Sequence, residues 1–279
     1  MQIAYVDESG HETKEWMFVA GFMGDDEQWK QFVPMWKEGL GGKKALHMNE
    51  LRWNNSRTRK LLARLGPIPD KCGLTAVVGG VRVSDYEDLL RGTPAKRLLK
   101  GYVACIYPLV VNILRSLPAT ERLTIVFEQQ HEYQPFAECA LAAIVSLRNR
   151  RPDWFLTRDG LPKLANWAFV PKDSTTHTQP ADYFVYALRQ LYHDRRSKKT
   201  EWCKPILDSG KGQGIGAVMT REQIRQTIVE LPYRAMEAES LRRTGKLEDL
   251  KINASSKKEL LASFDRFLIQ ENISDNPNE

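Results

Sequence analysis

Five residues of strand-forming character, Gln2-Ile3-Ala4-Tyr5-Val6, run directly into two carboxylates, Asp7 and Glu8, and then into Ser9-Gly10. A strand this apolar belongs in a core. A carboxylate at the tip of a buried strand is costly to desolvate unless it is paired, hydrogen-bonded or bound to a cation. Whatever the chain folds into must therefore give Asp7 a partner, and a metal site is the most economical answer. Asp is also a common turn former, so capping of the Ser9-Gly10 turn is the plain alternative. The period of two along a strand sends Glu8 to the face opposite Asp7. That marks Glu8 as a turn or supporting residue more than a ligand.

The remaining pattern alternates strands and helices. A second strand reads over Glu15–Phe22, and a helix over Glu27–Lys37, where Trp29, Phe32, Val33 and Trp36 recur at helical spacing. A compact segment, His47–Leu51, precedes a basic helix at Ser56–Leu65. Gly73–Val83 is a third strand, with Gly79-Gly80 suggesting a bulge, and Ser84 with Glu87 has the form of a capping box. A long helix is expected over Pro94–Leu117, a strand over Arg122–Glu128, a helix over Pro135–Arg148, a strand over Leu164–Val170 and a helix over Gln179–His193. Beyond that, Lys204–Gly216 reads as a Gly-rich loop. Thr220–Leu231 and Ser256–Gln270 read as helices, and Ser274–Glu279 as a disordered tail. The order predicts an α/β protein with a mixed sheet flanked by helices. Residues 1–195 would form the core domain, and residues 196–279 a helical appendage.

The chain of 279 residues carries a net charge of +6. Its basic residues cluster: Arg148, Arg150 and Arg151 in one group, and Arg189, Arg195, Arg196, Lys198, Lys199 and Lys204 in another. Such a run is either a solvated face or the footprint of a polyanion. The longest apolar run, Gly101–Leu114, is shorter than a membrane span and carries Pro108 and Asn112. With no signal-peptide pattern at its start, the chain reads as cytosolic. Four scattered cysteines have no zinc-ligand spacing and read as free, mostly buried thiols. The glycines at 210, 212, 214 and 216 follow no clear strand and lack the Lys-Ser/Thr of a phosphate loop.

Two strands end in acids, at Asp7 and Glu128. If they are parallel neighbours, both carboxylates sit at the sheet edge where open α/β sheets bind ligands. Asp182, in the first turn of a helix, and Glu50, in the His47–Leu51 segment, complete a candidate set. Several hard carboxylate oxygens are what a pair of Mg²⁺ or Mn²⁺ ions needs for phosphodiester hydrolysis. Each acid also has an ordinary reading: Glu128 and Glu50 as solvated side chains, Asp182 as a helix-dipole partner. His47 could orient a phosphate or a water. His131 and His177 read as surface loop residues. Trp53 and Tyr183 are candidates for stacking against bases, although packing is the commoner use of such rings.

Tyr5-Val6-Asp7-Glu8-Ser9-Gly10, His47–Leu51 and Gln179-Pro180-Ala181-Asp182 together resemble the Y-x-D-E-S-G, His/Lys-x-x-E-L and Q-x-A-D segments of a large uncharacterised bacterial family in the RNase H-like superfamily. The resemblance spans about residues 1–193. It implies a five-stranded mixed sheet with the first three strands antiparallel, and a metal site built by strands one and four and the last core helix. Carried over, Asp7 is the central ligand, Glu128 the strand-four ligand and Asp182 the late-helix ligand, while Glu50 belongs to the family's own insertion and would complete the set of catalytic and metal-binding acids. Glu8, Ser9, His47 and Gln179 would support the site or touch phosphate, and Arg189, Arg195, Arg196, Lys198 and Lys199 would bind nucleic acid, DNA or RNA. The chain departs from the pattern in two places. Strand four ends in Glu128 where Asp is usual, and Pro94–Leu117 carries no acid. The function expected is a divalent-metal-dependent nuclease. The alternative is an inactive RNase H-like module that binds nucleic acid or a protein partner, with phage defence or a mobile element as the setting the family type suggests. A metal-free two-carboxylate hydrolase is a third class. The C-terminal helices would serve a homodimer, a partner or the substrate.

Overall fold

The computed structural model describes residues 1–9, 15–90, 101–129, 131, 133–150, 163–171, 174–210 and 214–224. Among them the sheet has six strands: β1 (Gln2–Ser9), β2 (Trp16–Gly24), β3 (Thr75–Arg82), β4 (Arg122–Glu128), β5 (Lys163–Val170) and β6 (Ile215–Met219), in the order β5-β4-β1-β2-β3-β6. β2 is antiparallel to both of its neighbours, and the β1–β4, β4–β5 and β3–β6 pairs are parallel. β2 therefore runs against the other five. The helices are α1 (Asp26–Leu40), α2 (Ser56–Leu65), α3 (Ile68–Lys71), α4 (Val83–Leu90), α5 (Gly101–Ser116), α6 (Gln134–Arg150), α7 (Gln179–His193), α8 (Lys198–Ser209) and α9 (Arg221–Ile224).

The sheet has a core on each face. Ala4, Val6, Val19, Ile125 and Phe127 pack with α5 and α6 on one side. Phe18, Ala20 and Phe22 pack with α1, α2, α7 and α8 on the other. The apolar run at Gly101–Leu114 is thus a core helix, and no helix among the described residues is long and apolar enough to cross a membrane. All four cysteines are free thiols, with Cys72, Cys105 and Cys203 buried.

Several expectations change. Six strands replace five. The core does not stop at residue 195, because α8 buries Trp202, Cys203 and Ile206 in the second cluster and β6 extends the sheet beyond β3. The Gly-rich stretch from Lys204 is thus half helix and part strand. Its apolar residues were few but spaced to fit one helix face and one edge strand. Gly79 and Gly80 form no bulge: they pair in register with Val19 and Phe18. A Cβ at Gly79 would run into the Cys105 carbonyl oxygen, so glycine there lets the α5 backbone lie against the sheet. α4 starts at Val83, whose N–H donates to the Glu15 carbonyl at 2.9 Å, so Ser84 is not its cap. The expected helix at Ser256–Gln270, the polar tail, and most of Pro94–Gly101 and Thr220–Leu231 lie outside the described residues, as do Arg151 and the side chains of Arg148 and Arg150.

Candidate active site

Parallel pairing sets the first two acids side by side. The β1–β4 register runs Tyr5 with Val126 and Val6 with Phe127. One residue further along each strand come Asp7 and Glu128, only 6% and 8% exposed. Alternation puts Ile3, Tyr5 and Asp7 on the face covered by α7, and Ala4, Val6 and Glu8 on the face covered by α5. Asp182 approaches from the first turn of α7 and is half-buried.

These carboxylates act on one another. The Asp7 carboxyl is held well above the usual carboxylate range, first by burial and then by the charges of Glu8, Glu128 and Asp182. Glu8 is pushed up to about 7, again chiefly by burial, with Glu128 and Asp182 pushing in the same direction. The two side chains also interact directly with each other, and burial favours the protonated form of both. Asp7 Oδ1 also accepts from the Glu8 N–H at 2.8 Å. The remaining Glu8 oxygen, Oε2, is buried with no hydrogen-bond partner. On the α5 side, the same two carboxylates add to the burial that raises Tyr102. Glu8 is therefore part of the acidic centre and not only a turn residue. Alternation correctly sends it to the other face, but at a strand end the longer Glu side chain reaches back to Asp7.

The Q-x-A-D segment has a structural task. Gln179 Oε1 accepts from Trp36 Nε1 at 2.9 Å and from the Leu46 N–H at 3.1 Å. Three residues on, Asp182 Oδ2 accepts from the Met48 N–H at 3.0 Å. Positions i and i+3 share a helix face, so one face of α7 takes up two alternate N–H groups of the 46–48 backbone. His47, between them, is half-buried and sits at the start of a single 3₁₀ turn, Met48–Glu50. Glu50 ends that turn exposed. Ser9 is buried and pairs with Phe18 at the end of β1.

His177 belongs to the neighbourhood, contrary to its reading as a surface residue. Its ring stacks on Tyr5 with centroids 4.7 Å apart, and Nδ1 lies 2.6 Å from Thr175 Oγ1. Burial, with help from Lys37, lowers its pKa and favours the neutral ring. Nothing in the local sequence signals this, because the contact comes from the register of Tyr5 two residues before Asp7. His131 is exposed.

The basic cluster of α7 and α8 lies on an aromatic stack. Trp53 stacks on Tyr186 at 5.3 Å and lies 6.0 Å from Trp202. Arg189 sits over Tyr186, Lys199 over Trp53 and Lys198 over Trp202, at 5.4, 5.5 and 4.8 Å. Tyr186 and Arg189 follow Asp182 by four and seven residues, on the same side of α7. Of the two rings proposed for base stacking, Tyr183 is not open to it. Tyr183 is fully buried and donates to the Leu62 and Trp202 carbonyls, and Trp53 is engaged by Tyr186.

Among the described residues, no three His, Cys, Asp or Glu side chains are gathered as a ready-made metal-ligand set. The donors that do converge electrostatically are all carboxylates, hard oxygen ligands suited to Mg²⁺ or Mn²⁺. The buried orphan oxygen of Glu8 adds an acceptor that a cation would satisfy. In comparisons with known proteins, the chain matches no family model, and no characterised protein matches it in sequence.

Proposed function

We propose that this protein is a divalent-cation-dependent nuclease of RNase H-like architecture. One observation carries the reading: Asp7, Glu8 and Glu128 end neighbouring strands at one sheet edge, Asp182 approaches from α7, and the charges of Glu128 and Asp182 raise the proton affinity of Asp7 and Glu8. The order β5-β4-β1-β2-β3, with β1 to β3 antiparallel and β4 beside β1, supports the RNase H-like part of the proposal. A bound Mg²⁺ or Mn²⁺ would lower the pKa of an attacking water and offset the charge of the phosphodiester. Asp7, Glu8, Glu128 and Asp182 would hold it. Asp7 and Glu8, both raised by burial, would give up protons as they become ligands. Asp182 and Gln179 would keep His47 beside the acids through the 46–48 backbone, and Arg189, Lys198 and Lys199 would meet the phosphates, which gives affinity without sequence preference. The test is cleavage of single- and double-stranded DNA and RNA with Mn²⁺ or Mg²⁺. Asp7→Asn and Asp182→Asn should each lose at least 100-fold of the rate, and retention of the parent rate by both would overturn the proposal.

A second reading, a nucleic-acid-binding module without turnover, is favoured by the absence of a ready-made ligand set among the described residues and by Asp182 Oδ2 being committed to Met48. It predicts salt-sensitive binding in the presence of a chelator and no cleavage with either ion.

A further inference from the structure

A second feature lies at the far end of α7. A cavity of about 390 Å³ opens between the end of α7 and α8, large enough for a small ligand. Three cations line it, Arg195, Arg196 and Lys204, with one carboxylate, Glu201, and two apolar side chains, Leu191 and Leu207. The three cations are exposed, and Glu201 also lies 3.9 Å from the Arg59 guanidinium, with both of those side chains well exposed. The start of α8 is already capped, because Ser197 Oγ accepts from the Thr200 N–H at 3.1 Å, so the three side chains supply the pull on an anion. Inorganic phosphate would use the cations alone. A nucleotide unit uses all three kinds of lining: its phosphate meets the cations, its hydroxyl or amino donors meet Glu201, and its ring or sugar covers the leucines.

The position of the cavity connects it to the acids. Tyr192 packs on Trp16 and Phe18, 4.9 and 5.1 Å between ring centroids, and Phe18 pairs with Ser9. The end of α7 therefore reaches the sheet edge at which β1 ends. Leu191 is nine residues along α7 from Asp182, about 14 Å at 1.5 Å per residue, a span that a strand crosses within a few nucleotides. We infer that this cavity is a remote subsite for one phosphate-bearing nucleotide unit of the strand that the acidic site would act on. The inference rests on the proposed function for the identity of that strand, but its test does not need cleavage.

Binding of dye-labelled ten-nucleotide single-stranded DNA and RNA to the full-length Asp7→Asn protein, in chelator, reads it directly. R195A/R196A should weaken binding about tenfold at low salt. It should also lower the slope of log affinity against log salt by about 0.7, the contribution of one phosphate on a single strand. The charge-matched control K30A/K71A should leave both unchanged, and R195K/R196K should recover most of the affinity. Competition by adenosine monophosphate at millimolar concentration that R195A/R196A abolishes would assign the cavity to free nucleotides as well as to strands. No competition would assign it to strands alone. Equal affinity and slope in R195A/R196A and in the parent would overturn the inference, even if Asp7-dependent cleavage is found. Loss of binding in R195A/R196A without any cleavage by the parent would uphold it and remove the nuclease reading.

Discussion

Glu8 offers the sharpest test of the acidic centre, because its titration is tied to stability with a definite sign. In the fold it keeps its proton up to about 7, against an ordinary value of 4.5. Between those values the folded state binds more protons than the unfolded chain, so stability falls as pH rises through the window and the loss is complete above about 7. At about 1.4 kcal/mol per unit, the loss is on the order of 3 kcal/mol. Asp7, shifted in the same direction, adds to it. His177 opposes it: its lowered pKa means that stability falls as pH drops through about 6.5. The difference between Glu8→Gln and the parent cancels that term, since the amide keeps the shape but never ionises. Thermal unfolding in chelator should give nearly equal Tm values at pH 4.5. At pH 8 the variant should be higher by roughly 6–12 °C, at about 2–4 °C per kcal/mol for a chain of this size. A difference that stays constant across that range would refute the placement of Glu8 in the buried acid cluster.

Three further outcomes follow from the same contacts. Gln179→Ala leaves Trp36 Nε1 and the Leu46 N–H without their acceptor and should cost about 2–4 kcal/mol in denaturant unfolding, whereas Gln179→Glu, which keeps an acceptor oxygen, should cost less. Gly79→Ala places a methyl against the Cys105 carbonyl and should lower stability by about 1–3 kcal/mol, seen as a shift of the urea midpoint with an unchanged m-value. Addition of Mn²⁺ should raise the Tm of the parent more at pH 8 than at pH 5, since protons and the cation compete for the same oxygens. A concentration of about a hundred times Kd corresponds to about 2.7 kcal/mol, and Asp7→Asn should lose most of that gain.

How far the sequence could be read depended on whether a signal was local. β1 and β4 were visible as apolar runs ending in acids, and α7 as a periodic helix with Asp182 in its first turn. Their neighbourhood needed only the assumption that β1 and β4 are parallel neighbours, which the register bears out. β6 and α8 were missed because glycines and charges outweigh the apolar residues there, and only tertiary packing turns Trp202, Cys203 and Ile206 into a core face. Gly79-Gly80 was misread for a related reason. A strand glycine fits a bulge or a close neighbour equally well, and the neighbour, α5, is far along the chain. His177 and Glu8 depend on where the ends of strands and side chains reach, which alternation alone does not fix.

Asp182 connects the two halves of the site, and its chemistry explains why the Q-x-A-D segment acts as a unit. One carboxylate oxygen is committed to the Met48 N–H, yet the group's charge still raises Asp7 and Glu8. An amide at 182 would keep an acceptor for Met48 but lose the charge. An alanine would lose both and orphan a backbone donor. Asn and Ala at this position therefore separate the two duties: Asn should lower the pKa values of Asp7 and Glu8 while holding the 46–48 segment in place, and Ala should also release His47. Gln179, bound to the same segment but uncharged, can only do the second. The pair thus couples the position of the 46–50 segment to the electrostatics of the acids through a single turn of helix. If the two are coupled through Asp182, Asn at 182 should leave hydrogen-exchange protection of the Met48 amide near that of the parent while Ala lowers it.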